Sequence, residues 1–310
     1  METLFPLADV VPAPAVASDV QWSFSKRGML FQCPRKFYYH YYGSSSRTAN
    51  FDPHKAQLRE LKTITNLNLR AGDIVDLVIR TFLTRPDANA TWNVQRLQNW
   101  ALSMLEKDRD YNIGRNVPNG QFLPQKLLEF VRAFSDVDAR FQTAKSKIFT
   151  ALKHFAECES YAPFRVCGAH VKVQQNIAIT VDGSSAKGKI DLAVSHENLH
   201  HILDWKIGAE GSSDENLQVG FYGLWASRQA AISTPVKLHM AYLADGVVKT
   251  YNVPAEVRPR EVAARITQDL IVLRNLHPYG TAGIVKAFTP CLQPKICEMC
   301  QYEPVCSLKE

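Results

Sequence analysis

The stretch Gly188–Gly208, GKIDLAVSHENLHHILDWKIG, decides the fold. It is a run of apolar, β-forming residues that nevertheless carries an acid at Asp191 and an Asp-Trp-Lys triplet at Asp204 to Lys206. Side chains alternate between faces along a strand. In HILDWKIG, Ile202, Asp204 and Lys206 therefore share one face, while Leu203, Trp205 and Ile207 share the other. An acid and a lysine stand side by side on the first face, opposite a neighbouring strand's acid. Read as residues alone, this is either a partly buried salt bridge with Asp191 as a turn residue, or a metal site.

The strand pattern extends upstream through RVCGAHVKVQQNIAITVDGSSAKG, giving three or four strands with turns at VDGSSAKG and SHENLH. Downstream, DENLQVGFYGLWASRQAA reads as a helix, VKLHMAYLADGVVKTYNV as a hairpin about Asp245-Gly246, and AEVRPREVAARITQDLIVLRNL as a second helix. Toward the N-terminus, WSFSKRGMLFQCPRKFYYHYYGSSS predicts one amphipathic helix capped by Ser23 or Ser25. LKTITNLNLRAGDIVDLVIRTFL predicts another, with Gly72 at its start and Ile74, Leu77, Val78 and Phe82 at helical spacing. This order of elements is an α/β core with helical decoration. It divides into a leader (1–20), N-terminal helices (21–90), a helical insertion (91–160) broken at NIGRNVPNG, a β-core with flanking helices (161–280) and a Cys-rich tail (281–310).

The 310 residues, 46% of them hydrophobic and 21% charged, suit an ordinary globular protein with a full core. The net charge of +6 is compatible with a polyanionic partner. No run approaches the roughly 18 apolar residues of a membrane span, and METLFPLADVVPAPAVASD has no basic segment before its apolar residues. Seven unevenly spread cysteines argue against a disulfide framework and for the reducing cytoplasm.

Phosphodiester hydrolysis needs a metal, carboxylates to hold it, and a group that positions water. Hard Mg²⁺ takes one or two carboxylates plus waters and substrate oxygens. Asp191 and Asp204 suit that role, with Lys206 beside the water. In three motifs taken in order, the chain resembles the RecB-type PD-(D/E)XK nucleases: GKIDLAV, HILDWKIG, and NLQVGFYGLWA with its Gln-x-x-x-Tyr pair Gln218 and Tyr222. The resemblance implies a restriction-endonuclease-like fold, a mixed sheet flanked by helices. It implies Asp191, Asp204 and the Trp205 main-chain carbonyl as ligands of Mg²⁺ or Mn²⁺, Lys206 as the catalytic lysine, and Gln218 and Tyr222 beside the DNA. The family usually carries histidine within a Gly-x-x-Val-His pattern in the preceding helix; here AGDIVDLVI offers Asp76. Asp76 either ligates the metal, with an altered preference or an impaired site, or merely caps or pairs on the helix surface.

CEMCQYEPVC places Cys297, Cys300 and Cys306 in a spacing that suits metal. A fourth ligand is needed. Cys158, Cys167 and Cys291 are poor candidates, and the choice of Cys33, which precedes Pro34 and a basic, aromatic run, rests on resemblance. RecB-type nucleases with an iron–sulfur cluster are similar, including the AddB C-terminal nuclease domain and CRISPR-associated RecB-like exonucleases. That likeness implies a [4Fe–4S] cluster on Cys33, Cys297, Cys300 and Cys306, joining the two ends of the domain. Spacing alone leaves structural Zn²⁺ equally open. In KRGMLFQCPRKFYYHYY, Lys26, Arg27, Arg35 and Lys36 are candidate DNA contacts, while Phe37 and Tyr41 are expected to pack. His196, His200 and His201 read as a solvated hairpin. The expected function is a metal-dependent DNA nuclease in repair, recombination or anti-phage defence. The alternative is a DNA-binding scaffold whose nuclease site is impaired. No Gly-x-x-x-x-Gly-Lys-Ser/Thr loop occurs, so a helicase motor would come from a separate partner.

Overall fold

The computed structural model describes residues 20–45, 52–85, 92–116, 122–165, 171–196, 199–208, 215–229, 235–253, 258–277 and 284–306. Its strands are β1 (Trp22–Ser23), β2 (Val171–Val181), β3 (Ser184–His196), β4 (Leu199–Lys206), β5 (Val236–Tyr242) and β6 (Val247–Asn252). They form one mixed sheet in the order β1-β3-β4-β5-β6, with β2 on the other edge of β3. The β1–β3 and β4–β5 pairs are parallel and the rest antiparallel. The helices, in chain order, are α1 (Phe24–Gln32), α2 (Pro34–Tyr38), α3 (Pro53–Lys62), α4 (Leu67–Thr84) and α5 (Val94–Asn112). They continue with α6 (Leu128–Val131), α7 (Val137–Glu157), α8 (Glu215–Ser227), α9 (Pro259–Asn275) and α10 (Pro294–Glu298). Among the described residues no helix is long and apolar enough to cross a membrane.

Two hydrophobic clusters sandwich the sheet. On one face α4, α5 and α7 pack against Leu192, Val194 and Leu203. On the other, α1, α2, α8 and α9 pack against Ile177, Ile190, Ile202 and Met240. The helices between 92 and 158 thus share a core with α4 and the sheet.

The β2–β3 hairpin carries the decisive distortion. Its turn is the pair Asp182 (φ 47°) and Gly183 (φ 71°), both left-handed, which matches the twist of the flanking strands. The ladder resumes at Ser184, so the turn is shorter than the predicted VDGSSAKG loop. Farther along, the ribbon changes face. Val173 packs with the α4 cluster and Ile177 with the α8 cluster, although both positions are odd; Leu192 and Ile190 are split the same way. The switch falls at Gln174, whose φ is +54° and which lies between the pairs Val173↔Leu192 and Gln175↔Ile190, across from Asp191.

The opposite edge of β3 is also interrupted. It pairs with β1 at Ala186 and Lys187 and with β4 from Leu192 onward. Between them, residues 188–191 pair with no strand on that side among the described residues, and α8 covers the gap. A Cβ on Gly188 would lie 2.6 Å from Phe221 Cε1, so only glycine lets α8 close this tightly.

Two predicted helix boundaries move. The single N-terminal helix divides at Cys33, because Pro34 has no N–H to continue α1 and instead opens α2. Ser23 caps α1, accepting from the Lys26 amide at 3.2 Å. Asn66 caps α4, accepting from the Leu69 amide at 2.9 Å, so Gly72 lies inside the helix rather than at its start.

Candidate active site

The alternation along β4 sets the site. Leu203, Trp205 and Ile207 pack into the α4 cluster, and the Trp205 ring meets Phe155 edge-on at 5.7 Å. Anchored this way, the strand turns Asp204 and Lys206 toward α8. Asp204 is 3% exposed. Lys206 Nζ lies 2.6 Å from Asp204 Oδ2 and donates to Gln218 Oε1 at 2.7 Å. Gln218 Nε2 donates to Asp204 Oδ1 at 2.6 Å and to the Tyr222 hydroxyl at 2.9 Å. Gln218 and Tyr222 are four apart on α8 and so share a face. The Tyr222 hydroxyl is within donating distance of Asp204 Oδ1 (2.8 Å) and of the Lys189 carbonyl (2.9 Å). The second contact serves a backbone group in the gap where β3 has no strand partner, as a buried carbonyl requires. The salt bridge and the motif residues are therefore parts of a single network.

Asp191 joins from the splayed end of the β3–β4 ladder. Its Oδ2 accepts from the Trp205 amide at 3.0 Å. Its Oδ1 accepts from Gln174 Nε2 at 3.2 Å, and the same nitrogen donates to Asp76 Oδ1 at 2.8 Å. Asp76 thus faces the site instead of pairing on the helix surface. Burial, then the Asp204 charge, raises the Asp191 carboxyl above its ordinary range, with Asp76 adding and the Trp205 N–H and Lys206 opposing. Burial likewise raises Asp76, against Arg80 and Lys189, while Asp73 and Asp204 push the same way as burial. The Tyr222 hydroxyl is raised well above normal by burial and the Asp204 charge. Asp191 and Asp76, buried and facing further carboxylate charge, are relieved by a cation.

Among the described residues, no group of three or more His, Cys, Asp or Glu side chains stands ready-arranged to hold a metal ion. The donor chemistry nevertheless fits one. Asp204 Oδ2 is buried without a hydrogen bond, its only close partner being the Lys206 charge. Carboxylate oxygens are the ligands that Mg²⁺ and Mn²⁺ prefer. Three residues here carried no signal in the sequence: Gln174, and the exposed Asp73 and Lys189 at the rim. A lone glutamine in an alternating strand looks like any other outward residue, and Asp73 was overshadowed by Asp76.

Cys33, Cys297, Cys300 and Cys306 line one cavity of about 180 Å³, and all are free thiols. Cys291, set aside in the sequence reading, lines it too: its amide donates to Cys33 Sγ at 3.3 Å, and its carbonyl accepts from Cys297 Sγ at 3.3 Å. The Lys36 amide also donates to Cys33 Sγ, at 3.4 Å. Burial raises the Cys297 and Cys300 thiols. Cys158 lies elsewhere, against the β5–β6 turn, and Cys167 falls outside the described residues.

Two expected DNA contacts are corrected. Arg27 is 6% exposed, its Nε on Asp269 Oδ2 at 3.0 Å, an oxygen that also accepts from Trp22 Nε1. Arg35 is 7% exposed and donates through Nε to the Phe288 carbonyl at 2.8 Å. Both guanidinium groups brace the interior and do not face a nucleic acid. Lys26 and Lys36 are half-buried. Phe37 is fully buried and Tyr41 half-buried. His201 is half-buried, and its Nδ1 lies 2.9 Å from His239 Nε2 on β5. His200 meets Ser195 Oγ at 2.7 Å, and the His196 side chain lies outside the described residues.

The model of the PD-(D/E)XK nuclease superfamily matches residues 21–307. Among solved structures, a protein from Eubacterium rectale described as a candidate exonuclease is similar over 82% of each chain, at 13% identity and a TM-score of 0.39. SSO0001 is similar over 67% of this chain and 96% of its own, at 15% identity and a TM-score of 0.30. Among curated proteins none matches significantly.

Proposed function

Because the chain belongs to the PD-(D/E)XK nuclease superfamily, we propose that it is a Mg²⁺- or Mn²⁺-dependent deoxyribonuclease working at the interrupted edge of β3. The observation that carries this reading is the closed network of Asp204, Lys206, Gln218 and Tyr222 beside Asp191. Asp76, Asp191, Asp204 and the Trp205 carbonyl would hold the ion, which when bound polarises the phosphate and lowers the pKa of water. Lys206, fixed between Asp204 and Gln218 and itself partly exposed, would hold the attacking water and steady charge on the phosphate. Gln218 keeps Lys206 from swinging out, and Tyr222 keeps Gln218 in place. The exposed Lys189 offers a charge to the phosphate backbone, as do Lys26 and Lys36 farther off.

The cysteine cavity we assign to a [4Fe–4S] cluster on Cys33, Cys297, Cys300 and Cys306. Backbone N–H groups directed at Cys33 Sγ suit a thiolate ligand, and cluster sulfurs are tuned by such bonds. Structural Zn²⁺ is the rival for the same thiols.

The test of the nuclease reading is cleavage of end-labelled single- and double-stranded DNA by anaerobically purified protein with Mg²⁺, Mn²⁺ or EDTA. Asp204→Asn serves as the control. Metal-dependent cutting that vanishes in the variant is expected. DNA bound but never cut, under any of these conditions, would move the protein to the scaffold class.

A further inference from the structure

Gln174 holds a position that nothing in its residue type demands. A left-handed φ on a non-glycine residue inside a strand is strained, and such strain persists where function fixes it. Gln174 has a φ of +54° in the middle of β2, with the ladder in register on both sides. The distortion aims its carboxamide into the space between α4 and β3. There Nε2 reaches Asp76 at 2.8 Å and Asp191 at 3.2 Å, the only direct link described between the helix acid and the sheet acid. Meanwhile Oε1 is buried and has no hydrogen-bond partner. An orphaned buried acceptor is destabilising, because it has given up water for nothing. One end of the amide therefore bridges the acids, and the other lacks a partner in the same enclosed space.

A carboxamide is a two-faced ligand. Its nitrogen donates to carboxylates and its oxygen is a neutral, hard donor of the kind divalent cations accept. The two ends differ by a rotation about a soft terminal torsion. A cation lying among Asp76, Asp191 and Asp204 repels the N–H face and attracts the oxygen. We propose that Gln174 belongs to the metal site: its amide nitrogen bridges Asp76 and Asp191 as seen here, and its carboxamide turns to give its oxygen to a divalent cation that binds among the acids. This rests on the metal-dependent reading above and extends it by one ligand. It also accounts for the strain: only the left-handed backbone at 174 turns this side chain, rather than that of Gln175, toward Asp191.

The experiment uses the full-length protein and two probes, Mn²⁺ binding by calorimetry and Tb³⁺ luminescence decay in H₂O against D₂O, which counts water molecules on the ion. Gln174→Leu is expected to bind Mn²⁺ roughly 10–100-fold more weakly, the usual loss when a support of a metal ligand set is removed. On Tb³⁺ it should gain one coordinated water in place of the amide oxygen. Gln174→Glu, which keeps an oxygen at that reach, should retain the parental water count, and it carries the test if the leucine variant does not fold. A Gln174→Leu protein with parental Mn²⁺ affinity and water count overturns the assignment while leaving the nuclease reading intact. A glutamate variant with the extra water overturns it too. A parent protein that binds neither ion removes both.

Discussion

At the residue scale, Asp204 is held on both carboxylate oxygens. It is buried, yet one oxygen is served by Gln218 and Tyr222 and the other faces only the Lys206 charge. Lys206→Ala should lower the cleavage rate by roughly 10²–10⁴, the usual contribution of a positioned proton-handling group. DNA binding and the melting transition should stay near those of the parent, because the Lys206 side chain is partly exposed and Asp204 keeps its other donors. A rate loss matched by a large drop in melting temperature would instead mark the pair as structural. Tyr222→Phe tests the support. It takes a donor from Asp204 and a partner from the Lys189 carbonyl, which should cost about 1–3 kcal/mol of stability. Denaturant titration reads that cost, and Lys206, then less firmly held through Gln218, should also work more slowly.

At the scale of elements, the site depends on α8 lying flush against the gap in β3. Gly188→Ala places a methyl against the Phe221 ring, and forcing a side chain into a packed contact costs about 1–3 kcal/mol. Because Phe221 sits between Gln218 and Tyr222, catalysis should fall further than stability does. A variant with parental kcat would show that α8 tolerates displacement. On β4 and β5, His239 is held neutral: burial, with His201 and Lys237, lowers its pKa to about 3. A histidine depressed below its unfolded value of about 6.5 contributes no pH dependence above that value. Below it the unfolded chain takes the proton first, so stability is lost progressively as pH falls toward 3. Carboxylates raised by burial, such as Asp76 and Asp108, act in the opposite sense. The readable quantity is therefore the difference between parent and His239→Gln, whose melting temperature should fall less between pH 7 and pH 5. Parallel curves would refute the buried neutral histidine. The strands and the D-x-K face were legible because alternation is local, and the Gln-x-x-x-Tyr pair only through the family resemblance. The reversal at Gln174 was not, since VKVQQNIAITV alternates identically through it and only the packing of two separate cores demands the turn. Arg27 and Arg35 misled for a related reason. Their partners, Asp269 and Phe288, lie 242 and 253 positions away, beyond any local pattern.

At the scale of the whole molecule, the two ends of the described chain close on each other without any covalent link. The Arg35 amide donates to the Thr289 carbonyl at 3.2 Å, and the Tyr39 hydroxyl donates to the Val305 carbonyl at 3.2 Å. The Tyr39 and Tyr302 rings meet at 5.6 Å over Leu58. The cavity of cysteines lies within this seam, so any metal group bound there cross-links segments more than 250 positions apart. Closing so long a loop removes much of the unfolded chain's freedom, about 5–6 kcal/mol in the entropic picture of a single cross-link. Such a group would add to the apolar packing that already seats α1 and α2 on the β-core and to the bonds that Trp22 and Arg27 make to Asp269 on α9. Cys300→Ser should therefore lose the broad visible absorbance of an iron–sulfur cluster and melt at a markedly lower temperature. Cys158→Ser, remote from the cavity, should change neither. Cys291→Ser separates the assigned four thiols from the fifth: absorbance should persist, because Cys291 meets Cys33 through its backbone amide rather than through its own sulfur. Metal analysis completes the test. Iron lost on Cys300→Ser but retained on Cys291→Ser supports the assignment, whereas zinc in place of iron in the anaerobically purified parent would overturn the cluster and leave the cross-link.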